Sequence, residues 1–167
     1  MNIIAIIVVV FSSFAVAFLT IRKEITHCKH LNMSLNLITS IKNKAMFYNL
    51  PFAEIIMQLE NEEDLNRFSL LYLFLQNMKS ETTVPDAWKN AVVYSDLALE
   101  EQERNILIQF GKDMCSCSRE QIQEISARAI CELNELRNDA DEKRKVKSKS
   151  TAAVVVSIGL MIVLVFM

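Results

Sequence analysis

Two glycines and two prolines in 167 residues leave this chain few places to turn. Sheets need frequent tight turns, and turns favour Gly, Pro, Asn and Asp because these residues accept or pre-set the backbone angles required. The chain is rich instead in Leu, Glu, Lys, Gln and Ala, which lose little on entering a helix. No alternating strand pattern extends beyond a few residues, no internal repeat is present, and the one biased tract is the basic run 143–149. The expected fold is all-α: an antiparallel helix bundle flanked by an N-terminal and a C-terminal transmembrane helix.

Apolar spacing marks the helices of the bundle. Leu31, Leu35, Ile38, Ile41 and Ala45 step by three and four along one face. Asn49-Leu50 interrupts that face, and Pro51 suits the first turn of a new helix over 51–60. Asn61, with Asp64 three residues on, is a candidate cap for a helix whose inner face is Leu65, Phe68, Tyr72 and Leu75, with Leu71 beside them. Thr82-Thr83 followed by Pro85 and Asp86 signals another start, leading to Trp88, Val92 and Val93 turned inward. A further helix over 97–110 buries Ile106, Leu107 and Phe110, and Gly111 is expected to loosen its end. Ser118 to Gln121 fits a capping box. It opens the longest helix, with a stripe at Ile122, Ile125, Ala129, Leu133, Leu136 and Ala140.

The chain ends carry the membrane expectation. Residues 3–21 hold no charge in nineteen positions, and residues 151–167 none in seventeen. A spanning helix needs about 20 apolar residues, with a lower limit near 17, and in lipid a segment of this length satisfies its backbone as a helix. Residues 1–21 and 151–167 are therefore expected to be spans, with a domain over 22–150. A cleavable signal peptide ending at Ala15-Val16-Ala17 fits less well, because Met1-Asn2 lacks a basic side chain and the apolar run is long. Arg22, Lys23 and Lys29 after the first run, and Lys143, Arg144, Lys145, Lys147 and Lys149 before the second, place the domain in the cytoplasm. The expected location is the cell membrane, with membrane lipid as one partner.

Between Leu31 and Glu142 lie ten basic and nineteen acidic residues, a net charge of −9. Nucleic acid is excluded as a partner by repulsion from its phosphates. The acidic body is either plain solvated surface or a face for a basic protein. The acidic clusters Glu62, Glu63 and Asp64, and Glu100 and Glu101, are candidate partner interfaces, although carboxylates also favour helix starts for their own sake.

Chemistry-bearing residues are few. Cys115 and Cys117 are separated by one residue, and His27, Cys28 and His30 form a second cluster. Together these five could furnish a zinc site. However, zinc pairs are usually two to four residues apart, and Cys115 lies 85 residues beyond His30. A redox pair would favour C-x-x-C, and disulfides are rare in the cytoplasm. The preferred reading makes Cys115–Cys117 a short linker between two helices. No metal, cofactor, small-molecule substrate or catalytic residue is expected. Both histidines lie in one cluster, and the chain has no Gly-rich phosphate loop, G-x-S-x-G or H-E-x-x-H. A small membrane-bound hydrolase and a pilin-like subunit are both disfavoured.

Ala87-Trp88, the run LALEEQERNILIQFG over 97–111 and the segment from Met114 to Gln121 resemble the stage III sporulation protein AB family of spore-forming Firmicutes. That family typically reads F-G-x-x-L-G-x-S-D followed by Gln. Phe110 and Gly111 match it. Met114 stands at its Leu, Cys115 at its second Gly, Cys117 at its Ser, Ser118 at its Asp, and Gln121 or Gln123 at its Gln. Pro51-Phe52 resembles the family's Pro-Leu helix start, and Lys44 stands where the family has an acidic residue. Pro51, Trp88, Phe110, Gly111, Ser118 and Gln121 are thus the motif positions. The resemblance implies a helical domain like the platform domain of type II secretion and type IV pilus machines. It further implies a non-enzymatic scaffold of the stage III sporulation A complex in the outer forespore membrane, docking an AA-type sporulation ATPase beside other stage III sporulation A proteins. The alternative is a two-span scaffold of a secretion or pilus system outside sporulation.

Overall fold

The computed structural model describes residues 2–48, 50–61, 68–80 and 82–166, with side chains within residues 18–146, Thr20 apart. Six helices and no strand occupy the described residues: α1 (Asn2–Tyr48), α2 (Phe52–Glu60), α3 (Ser69–Met78), α4 (Val84–Tyr94), α5 (Glu101–Ser116) and α6 (Arg119–Phe166). The all-helical expectation holds. The chain divides into two compact units, residues 29–137 and residues 1–28 with 138–167.

Within residues 29–137, the end of α1 and the start of α6 run antiparallel. Arg119 donates to the Met46 carbonyl at 2.9 Å, and Arg137 donates to Asn32 Oδ1 at 3.4 Å further along. The first bond satisfies one of the carbonyls that a helix C-terminus leaves without a partner. The α1 stripe Leu31, Leu35, Ile38, Ile41 and Ala45 is buried throughout, as its spacing requires. On α6, Ile122, Ala129 and Leu133 are buried, and Ile125 and Leu136 half-buried. Along the rest of the unit, consecutive helices pack on one another, α2 on α3, α3 on α4 and α4 on α5.

Trp88 is the centre of this packing and is fully buried. Phe52 and Phe74 meet its ring edge-on, with centroids 5.1 and 6.0 Å away. Edge-to-face pairs add about 0.5–1.5 kcal/mol each beyond the area they bury. The indole Nε1 donates to the Leu107 carbonyl at 2.7 Å, so the one polar atom of the ring is satisfied in the core. Gly111 lies one turn beyond Leu107, directly under the ring. A Cβ there would stand 2.1 Å from Trp88 Cδ1. The glycine is therefore required by the close approach of a side chain to the helix backbone. The expectation that Gly111 loosens a helix end is corrected, because α5 continues through it to Ser116.

Other differences follow from helix phase. Tyr72 and Val93 are exposed rather than inward, at 61% and 46%. α3 begins at Ser69, and its buried positions are Leu70, Leu71 and Phe74. Tyr72 sits about 100° round the helix from Leu71, away from that stripe. On α4 the spacing from Trp88 to Val92 takes the inner face, which turns the adjacent Val93 out. α5 starts at Glu101 rather than at Leu97, although Leu97 and Leu99 are buried in the preceding linker. Glu62, Glu63, Asp64 and Leu65 lie outside the described residues.

In the unit formed by residues 1–28 and 138–167, Cys28 donates its Sγ proton to Asp141 Oδ1 at 3.7 Å, and Arg144 pairs with the same carboxylate at 3.4 Å. Arg22 lies over the Phe18 ring, 4.5 Å from its centroid. The membrane localisation requires correction. Among the described residues no helix is long and apolar enough to cross a membrane, so the two-span placement in the cell membrane or outer forespore membrane is withdrawn. The physical reason is charge. Over residues 18–48, α1 carries Arg22, Lys23, Glu24, Lys29, Lys42 and Lys44, and α6 over 119–146 carries charge in nearly every turn. The side chains of the apolar runs 3–21 and 151–167 lie outside the described residues, apart from Phe18, Leu19 and Ile21.

Gly111→Ala tests the Trp88 arrangement. In an open helix, alanine in place of glycine gains about 1 kcal/mol. Here the methyl group must displace the indole, so a net loss of about 1–3 kcal/mol is expected in urea unfolding. Trp88 is the single tryptophan, so its fluorescence reports the same event directly.

Candidate functional site

Helix α5 carries candidate functional residues at both ends. At its N-terminus, Glu100 and Glu101 are exposed. Glu100 is the N-cap and forms a full capping box with Glu103: each side chain accepts from the other residue's backbone N–H, that to Glu103 at 2.7 Å. Glu103 is buried as a result. Glu100 thus has a structural task, while Glu101 points to solvent. It lines a shallow groove of about 490 Å³ with Asn105, Ile106, Gln109 and Glu132. Two carboxylates on one groove favour a cationic visitor.

The non-helical linker before this end is held in place. The Arg104 guanidinium donates to five carbonyl oxygens, those of Val92, Val93, Ser95, Leu97 and Leu99. Arginine suits this task because it offers five N–H donors in a rigid fork. Two of those carbonyls, Val92 and Val93, belong to the last turn of α4, where helical partners run out; the Ser95 hydroxyl also donates to Val92, at 2.9 Å. His30 on α1 accepts the Ala98 N–H at Nδ1, 2.8 Å away. That bond puts the ring proton on Nε2. His30, named in the sequence for a metal cluster, therefore ties α1 to the linker.

At the other end of α5, Cys115 and Ser116 are the last helical residues and Cys117 is the C-cap, with φ −84° and ψ 153°. Two residues, Cys117 and Ser118, join α5 to α6. The anticipated capping box at Ser118 forms by half. Its N–H donates to Gln121 Oε1 at 2.9 Å, but its hydroxyl lies 3.2 Å from Glu120 Oε2. Asp113 and Arg128 bridge α5 and α6 at 2.8 Å near the surface, a contact worth less than about 1 kcal/mol. A cleft of about 410 Å³ opens beside the turn. Pro51, Phe52, Met114, Cys115, Cys117 and Arg119 are among its walls. It brings together the Pro51-Phe52 helix start and the cysteines, two motif segments distant in sequence.

None of the four cysteines forms a disulfide. Burial pushes the Cys115 thiol up to about 11, with the neighbouring Cys117 thiol adding to the effect. Burial also raises Cys117. Cys28 is raised by burial first and by the Asp141 carboxylate second. Among the described residues no group of three or more His, Cys, Asp or Glu side chains could hold a metal ion, and His27, Cys28, His30, Cys115 and Cys117 are all among those residues.

The remaining motif residues, Trp88, Phe110 and Gly111, lie in the core between these two ends. A family model for stage III sporulation protein AB matches residues 2–167. The chain belongs to the stage III sporulation protein AB family. A solved structure of a stage III sporulation protein AB is similar to it with a TM-score of 0.58 and 20% identity, covering 72% of this chain and 98% of that one. At that identity the likeness shows a shared fold. No curated protein sequence matches the chain. Within this fold Gly111 is the seat for the Trp88 indole, and Cys115 and Cys117 line the cleft.

Sequence reasoning missed Arg104, whose role depends on a linker with no periodic signature. The Glu100–Glu103 box was visible in principle as an acidic pair at capping-box spacing.

Two outcomes are expected. Arg104→Met should cost about 2–3 kcal/mol in chemical unfolding, because charged hydrogen bonds to carbonyls of the linker and the end of α4 are lost. Arg104→Lys should recover little of this, since an ammonium lacks the planar fork. Thiolate is the reactive form of cysteine, so alkylation of Cys115 should be slow at neutral pH and accelerate as pH rises towards about 11, followed by mass spectrometry of the modified peptide.

Proposed function

We propose that this chain is a non-catalytic structural component of the stage III sporulation A assembly, and that its 29–137 unit docks an AA-type ATPase of that assembly. The family match over residues 2–167 carries the reading. The acidic end of α5 supports it. Glu101 and Glu132 share one groove, and the adjoining linker is pinned by Arg104 and His30, so the carboxylates are presented from a rigid frame. The net charge of −9 between Leu31 and Glu142 would draw a basic partner surface towards this body. ATP hydrolysis belongs to the partner in this scheme, and the present chain supplies a fixed surface. The Glu62–Asp64 segment is a second acidic candidate for the same contact.

The full-length chain, immobilised through a tag, should retain the purified AA-type ATPase encoded with it. Retention should fall as salt is raised, as expected for a contact dominated by surface charge. Combining Glu101→Lys with Glu132→Lys should weaken capture about tenfold, equivalent to about 1.4 kcal/mol. Absence of capture by a chain with native Trp88 fluorescence would leave a sporulation protein whose partner is another member of the assembly.

A further inference from the structure

The cleft beside the α5–α6 turn contains a combination of donors that the docking proposal does not use. Cys115 and Cys117 both line it, and so does Met114. Both thiols are partly buried, and the Cys117 thiol is close enough to Cys115 to influence it electrostatically. The cap geometry helps to explain this closeness. Cys115 is still helical, whereas extended backbone at Cys117 turns the chain at that point, and the Cys117 thiol folds back to the Met114 carbonyl at 3.5 Å.

Donor count and softness narrow the choice of ion. Zinc in a structural site takes four ligands, drawn from Cys, His and carboxylates, and no described group reaches three. Two thiols backed by a thioether suit a soft monovalent ion such as Cu(I), which accepts few ligands and prefers sulfur. The walls fit as well. Leu50, Pro51, Phe52 and Ile122 supply apolar side chains to the lining around the sulfur atoms. Arg119 lines the same cleft, held by its bond to the Met46 carbonyl. A cation bound by two thiolates carries a net charge of −1, and the guanidinium offsets it.

We propose that Cys115 and Cys117 form a two-thiolate site for Cu(I), with Met114 as a weaker third donor and Arg119 as the compensating charge. On binding, two S–H bonds break and two S–Cu bonds form. Both protons pass to solvent, and no electron is transferred. The site is independent of the acidic groove, which lies at the opposite end of α5, so docking and copper binding succeed or fail separately.

The test uses the reduced full-length chain under anaerobic conditions, titrated with Cu(I) supplied as its bicinchoninate complex. The expected result is one copper withdrawn from the chelator per chain, a thiolate-to-copper charge-transfer band in the ultraviolet and two protons released. Cys115→Ser and Cys117→Ser should each weaken binding about 100-fold or more, at least the cost of changing an outer-shell partner. Cys28→Ser and Cys131→Ser should leave it unchanged, and Met114→Leu should cause a smaller loss. Trp88 fluorescence reports folding in every variant, and the native chain's band and proton count stand even where a variant fails to fold. Failure of the native chain to withdraw copper would overturn the proposal. So would equal withdrawal by the Cys115→Ser/Cys117→Ser double variant, or copper held through Cys28 or Cys131.

Discussion

The Trp88 indole lying on the backbone of α5 is the contact on which the arrangement of α2 to α5 depends. A ring of that size is buried without penalty only if its N–H finds an acceptor, and the Leu107 carbonyl provides one inside the core. Reaching that carbonyl brings the ring against the next turn of the helix, where any side chain would collide with it. Gly111 removes the obstacle. Phe52 from α2 and Phe74 from α3 then pack against the indole in edge-to-face geometry. One tryptophan therefore sets the register of four helices, and a glycine within the third turn of α5 is tolerated because of it.

With α5 fixed in this way, its two ends become well-defined platforms of opposite character. The N-terminal end is acidic, and the linker leading to it is ordered by side-chain-to-backbone hydrogen bonds rather than by regular structure. Arg104 collects carbonyls from the end of α4 and the linker, while His30 holds the linker to α1. The C-terminal end is sulfur-rich, and the guanidinium of Arg119 is the charge on its cleft. The same helix thus separates an electrostatic surface from a soft-donor pocket, and its own rigidity keeps them apart.

Burial shifts both thiols of the second platform towards the protonated form, which lowers their nucleophilicity. Cys115 and Cys117 line this cleft beside Pro51 and Phe52, while Trp88 and Gly111 pack against each other in the core.

Much of the fold was legible from residue order. Scarcity of turn formers and the three-four spacing of Leu31 to Ala45 and of Ile122 to Leu133 specify helices and their buried faces, because helical periodicity is a local property. The Pro51 and Thr83 starts were likewise local. What the sequence left open was phase and purpose. Val93 is as apolar as its inward neighbour Val92, and Tyr72 has a large apolar ring behind its hydroxyl, so the packing of α3 on α4 decides which of these side chains faces out. Gly111 carries no mark distinguishing a helix end from a seat for a ring, since the deciding atoms are on Trp88, 23 residues earlier. Arg104 and His30 likewise acquire their roles from acceptors and donors on other elements. Local spacing is written along the chain, whereas steric contact and hydrogen bonding between distant residues exist only once the tertiary structure has brought them together.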